Sequence, residues 1–178
     1  SVTGGSLTAA SLALGRTSQV ISSQPTSAST ANGLYVNGGA VNFTGNFSMG
    51  NSSAANSSVN ARMDSGSLTV GGVLTIGLNN TGRWSIMDVN GGSLSVNNTA
   101  TGISIGSSQA GNAILTLRNG TTTAGKISFG QAANAGSSVL SLTGGSLYVG
   151  SGGMALVGTG VTPSISLAGG TLGAAADW

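Results

Sequence analysis

Apolar and polar residues alternate in short runs along this chain, and each run breaks at a glycine corner that keeps returning. The corner resembles Gly-Gly-Ser-Leu, and its second glycine stands at positions 5, 39, 66, 92, 120, 145 and 170. Three residues before that glycine come Val2, Val36, Met63, Val89, Leu117, Leu142 and Leu167; five before come Leu34, Ala61, Met87, Leu115, Leu140 and Ile165. Two after it stand Leu7, Val41, Leu68, Leu94, Thr122, Leu147 and Leu172, and four after it Ala9, Phe43, Val70, Val96, Ala124, Val149 and Ala174. Period-two alternation on both sides of a corner predicts strands with one buried face, and glycine permits the positive φ that such a corner needs. A third alternating pair precedes a lone glycine in each repeat: Leu12/Leu14, Phe47/Met49, Leu74/Ile76, Ile103/Ile105, Ile127/Phe129 and Ala155/Val157. No window holds helical spacing long enough to compete.

A strand with two inward residues buries too little to stand alone, so each must lie over its equivalent in the next repeat. The expectation is an all-β fold: one parallel β-solenoid domain over residues 1–178, about six turns of 25–28 residues, with three short strands per turn. An antiparallel β-sandwich is the competing architecture, but it gives no reason for the phase to be the same in every repeat. The first interval is the longest, and residues 16–33, rich in Ser and Thr with Pro25, read as a loop inserted there. Val20 and Ile21 are its apolar residues.

Composition narrows the chemistry. Gly, Ser, Thr and Asn (32, 29, 19 and 15) make up roughly half of the 178 residues, while charged residues are 4%. There is no His, Cys or Glu, which excludes thiolate and imidazole metal sites, disulfides and His-based nucleophile systems; no cofactor is expected. The net charge of +2 comes from five basic and three acidic side chains with no basic stripe, so no nucleic-acid partner is expected. No apolar run approaches the ~18 residues that span a bilayer, so no membrane insertion by this segment is expected. A start at Ser1 without a leader suits a processed protein or an excised piece of a longer one.

The stretches "VNGGSLSVNNTATGISIG", "MDSGSLTVGGVLTIGLNN" and "LTGGSLYVGSGGMALVG" resemble the Gly-rich repeats of autotransporter-type passengers and related exported bacterial proteins. The closing "LAGGTLGAAADW" resembles the autotransporter-associated β-strand repeat. The resemblance implies a right-handed β-helix on an exported, extracellular or cell-surface protein.

Few residues offer chemistry. Arg62 and Asp88 each lie four residues before their reference glycine on the outward side, and are expected to form an exposed ion pair between neighbouring turns, worth about 0–1 kcal/mol. Asp64 and Asp88, with Arg62 and Arg118 nearby, are the only carboxylates placed for the acid/base work of carbohydrate-active β-helices. Asp88 is already matched to Arg62, and no enzyme activity is expected. The surface aromatics Tyr35, Tyr148, Trp84 and Trp178 are scattered rather than gathered into a sugar-stacking platform. The expected function is therefore structural. The open ends of a solenoid expose unpaired edges, and Val2, Leu7 and Leu12 at one end and Leu167 and Leu172 at the other are placed for head-to-tail self-association into a filament or for a surface stalk. Adhesion to a glycan or host surface is the second class, and a carbohydrate-active enzyme the third.

Overall fold

The computed structural model describes residues 1–15, 33–50, 58–78, 84–106, 111–130 and 136–177; the inserted loop, apart from Gly33, lies outside them. The chain opens with β1 (Ser6–Ala9) and β2 (Leu12–Leu14), then β3 (Gly33–Phe43), β4 (Phe47–Met49), β5 (Val59–Val70) and β6 (Leu74–Ile76). There follow β7 (Trp84–Val89), β8 (Ser93–Val96), β9 (Ile103–Ile105), β10 (Asn112–Leu117), β11 (Thr121–Ala124) and β12 (Ile127–Phe129). β13 (Ser137–Val149), β14 (Met154–Leu156) and β15 (Thr162–Ala174) complete the order.

Every strand pairing is parallel and joins one coil to the next, so the fold is the expected β-solenoid. A nine-stranded sheet winds around the corner glycines, and a six-stranded sheet, in the order β14-β12-β9-β6-β4-β2, closes the coil. In that short sheet β4, β6, β9 and β12 are paired on both edges, so four coils are enclosed there and the two outer ones are open on one side.

The ladders follow the sequence phase. Leu7, Val41, Leu68, Leu94, Thr122, Leu147 and Leu172 stand one above the other in register. So do Val36, Met63, Val89, Leu117, Leu142 and Leu167, with Val2 joined to Val36 by a single bridge. Their side chains fill the interior from Val36 to Val149, and Thr122 is buried within an otherwise aliphatic column. Phe43 and Phe47 meet in the bend between β3 and β4, ring centroids 5.4 Å apart. Burying each such Leu, Ile or Phe contributes roughly 1.5–3 kcal/mol, which offsets the chain entropy of many short strands.

The corner glycines are required twice over. Gly120 has φ +78°, and a Cβ there would run into the carbonyl oxygen of Gly92 one coil below, the same oxygen that accepts a 2.9 Å hydrogen bond from the Thr121 N–H. Gly39, Gly66, Gly92, Gly145 and Gly170 repeat this relation, each over the glycine of the preceding coil.

Three expectations need correction. Three separate strands per coil occur only in the middle; β3, β5, β13 and β15 run on through the corner as single strands, and the turn is absorbed as register shifts at Val36–Ala40 and Leu142–Ser146. The inward pair of β14 is Met154/Leu156, since these pair with Ile127 and Phe129; Ala155/Val157 is off by one. The cause is an extra residue at that corner: Leu156 pairs with Phe129 and Gly158 lies over Gly130, so Val157 stands between them without a counterpart in the coil below. Gly33 belongs to β3 and not to the insertion. The structure also shows a small outer apolar cluster that the alternation did not reveal, with Ile86 and Ile114 buried and Trp84 and Val139 packed beside them.

Candidate functional site

Arg62, Asp64 and Asp88 stand close together on the long sheet, beside the glycine corner. Asp64 is the hub. Its Oδ1 accepts hydrogen bonds from Arg62 Nε and Asn90 Nδ2, each at 2.8 Å, and its Oδ2 accepts one from the Tyr35 hydroxyl at 2.8 Å. Tyr35 belongs to β3, Arg62 and Asp64 to β5, and Asn90 follows β7, so one carboxylate ties three successive coils together. Arg62, then Asn90 and Tyr35, hold the Asp64 carboxyl below its usual range against the opposing effect of partial burial. The same contact raises Arg62 and, by hydrogen bonding to the carboxylate, Tyr35.

This corrects the expected Arg62–Asp88 ion pair in part. The register is as expected, Arg62 opposite Asp88. The salt bridge, however, is made within the coil, Arg62 to Asp64. Asp88 is fully buried, not exposed, and acts on Arg62 through its charge. Residues two apart on a strand share a face, so the sequence offers Arg62 two carboxylates, Asp64 along the strand and Asp88 across it. As an acid/base pair the two carboxylates are poorly set: Asp64 is saturated by donors that favour its ionised form, and Asp88 is out of reach of solvent. Among the described residues no group of three or more His, Cys, Asp or Glu could hold a metal ion.

The coil ends form the second region. At the first coil Leu7 is 41% exposed, and Val2 and Leu12 are half-buried against the core. On the last coil Ile165, Leu167 and Leu172, members of the interior ladders, are 49%, 56% and 40% exposed. The structure thus places Val2, Leu7 and Leu12 on one end face and Leu167 and Leu172 on the other.

The third region was not anticipated. On the outer side of the short sheet lies a cavity of about 340 Å³. Its floor is Thr75, Ser104 and Ser128, the middle residues of β6, β9 and β12, in register through three coils. One wall is the turn at Ala100 and Thr101. Asn98 Oδ1 shapes this turn by accepting the backbone N–H of Ala100 (3.1 Å), Thr101 (2.8 Å) and Gly102 (3.3 Å). Val73 and Val157 add apolar edges, and Lys126 supplies a cation. The outward hydroxyls follow from the alternation that gave the inward pairs; the wall does not, because it depends on how one coil's longer connection folds back.

Comparison with protein-family models, with curated proteins and with solved structures returns no match to this chain.

Proposed function

We propose that the chain is a non-catalytic structural β-solenoid of an exported, cell-surface or extracellular protein, and that its coils stack end to end with those of a second copy. The observation that carries this reading is the last coil, whose ladder residues Ile165, Leu167 and Leu172 remain exposed while the first coil exposes Leu7 in the same ladder as Leu172. Continuing the glycine column sets the junction: Gly5 of one copy over Gly170 of the other, Ser6 over Thr171, Leu7 over Leu172 and Ala9 over Ala174. The Gly170 carbonyl then accepts from the Ser6 N–H, as the Gly5 carbonyl accepts from Ala40 at 2.9 Å. Such a heterologous contact propagates into a filament. The long sheet carries the junction, because β1 and β15 are each paired on one side only among the described residues. A chain with 4% charged residues suits a stalk or fibre better than a charge-steered enzyme.

The decisive variant is Gly5→Ala. A Cβ on Gly5 meets nothing within 4 Å in the single chain, but over Gly170 it meets a carbonyl as every other corner glycine would. Electron micrographs and sedimentation across a concentration series are expected to show filaments for the parent chain and single particles for Gly5→Ala, with the same circular dichroism. A parent chain that stays monomeric, or a Gly5→Ala chain that assembles equally well, sinks the reading.

A second reading, binding of a glycan at a surface, is favoured by the preformed cavity over the short sheet.

A further inference from the structure

We infer that Pro163 divides the open edge of the last coil into a closed half, residues 162–166, and a receiving half, residues 167–174, so that this end takes the first coil of a second copy and refuses the last coil of another. The inference rests on the end-to-end reading above and adds the polarity of the junction.

Backbone direction separates the two halves. In a parallel ladder the N–H and C=O of one residue turn to the same neighbour, and those of the next residue turn to the other. Val2 donates its N–H to the Tyr35 carbonyl, and its C=O accepts from the Asn37 N–H, both at 2.8 Å, so both groups face the coil above. Leu167 ends the same ladder. Its two groups therefore face the open side, where β15 has no partner among the described residues. In the junction, the Ser1 C=O and Thr3 N–H of a second copy take the places over Leu167 that Tyr35 and Asn37 take over Val2. Within β15, Thr162 turns the other way, its N–H donating to the Gly136 carbonyl at 3.3 Å. Pro163 comes next, so its ring nitrogen lies on the open side and has no proton to give.

The column of Pro163 runs Val59, Ser85, Ala113, Ser138, Pro163, and the proline stands only where that stack ends. It is the only proline among the described residues, and it is exposed. Proline within sheets is confined to edges, where it keeps an open strand from pairing with a stranger. Two last coils meeting face to face would form a two-fold contact with β15 antiparallel to β15, and symmetry makes the missing donor count twice. The end-to-end junction, residues 1–9 over 166–174, makes no use of Pro163. This end thus favours a contact that propagates over one that closes and stops growth.

Sedimentation velocity across a concentration series tests both halves. Gly5→Ala blocks the junction from the first coil and leaves the last coil unaltered, so that chain is expected to stay as single particles. Gly5→Ala/Pro163→Ser carries the residue found one coil below, Ser138, and regains the donor. It is expected to dimerise at least about ten-fold more tightly than Gly5→Ala, the scale of two recovered hydrogen bonds, and to stop at two copies. Equal self-association of the two folded chains overturns the closed half. Leu167→Pro removes an N–H that the junction uses, and Ile165→Pro removes one that it does not. Filaments are expected from Ile165→Pro and not from Leu167→Pro, with circular dichroism and melting temperature as the checks of folding. Equal assembly of these two folded variants overturns the receiving half. The serine variant breaks no pairing with β13, so the first comparison stands even where a new proline prevents folding. A parent chain that forms no filaments sinks the end-to-end reading, while Gly5→Ala against Gly5→Ala/Pro163→Ser still decides the role of Pro163.

Discussion

Replacing Gly120 by alanine separates the two demands placed on the corner glycines. Gly120 sits at φ +78°, and an L-residue in the left-handed region costs roughly 1–2 kcal/mol. The new Cβ also meets the Gly92 carbonyl oxygen, which belongs to backbone and cannot swing away like a flexible side chain. Relief of that contact moves the two coils apart at the point where Thr121 N–H bonds the same oxygen at 2.9 Å and Arg118 N–H bonds the Val89 oxygen at 2.8 Å. Weakening two such bonds adds about 1–3 kcal/mol, so Gly120→Ala should destabilise by about 2–5 kcal/mol. Gly5→Ala has the same sign of φ, +69°, with nothing beneath it, and should cost only the conformational part, about 1–2 kcal/mol. Denaturant unfolding of both variants under monomeric conditions gives the comparison. Equal losses would refute the argument that coil-on-coil contact, and not φ alone, demands glycine at these corners.

Other expectations follow from the ladders and the polar hub. Leu94→Ala, in the middle of a column with Leu68 below and Thr122 above, should cost about 2–5 kcal/mol in the same unfolding assay, since stacked neighbours cannot collapse into the space. The Asp64 carboxyl is held below its usual range, so its stabilisation is full above the unfolded value of about 3.9 and is lost as pH falls through the lower folded value. Asp64→Asn should therefore lower neutral-pH stability by about 1 kcal/mol or less, as the pair is partly solvent-accessible, and should remove that acid-side decline from a plot of melting temperature against pH.

Most of the fold was legible because its signal is redundant. Leu68, Leu94 and Leu147 announce the same phase from different coils, and a wrong reading at one position is outvoted by the others. Errors arose where a feature occurs once. The extra residue at Val157–Gly158 shifts one strand, and a lone Gly158 gave the wrong anchor for counting back. The Arg62–Asp64 bridge and the buried state of Asp88 depend on side-chain direction and on what lies over the outer face, and alternation fixes neither. The cavity wall is another single event, a turn closed by Asn98. Outward Ile86 and Ile114 escaped notice because the periodic pattern assigns the outer face to polar residues.

The chain contains no cysteine, and this permits a direct test of coil continuing upon coil from one molecule to the next. Ser6 and Thr171 stand at the same height in the ladder Ser6–Ala40–Ser67–Ser93–Thr121–Ser146–Thr171, at opposite ends of one molecule. In a head-to-tail junction they come to about 4.8 Å between Cα atoms, within disulfide range. Oxidation of the Ser6→Cys/Thr171→Cys double variant, followed by non-reducing electrophoresis, should give a ladder of covalent multimers, with the intramolecular pair Ser67→Cys/Ser93→Cys as the reference for bridging across one coil step. Monomer alone from the end-to-end pair, while the reference pair closes fully, would contradict the account.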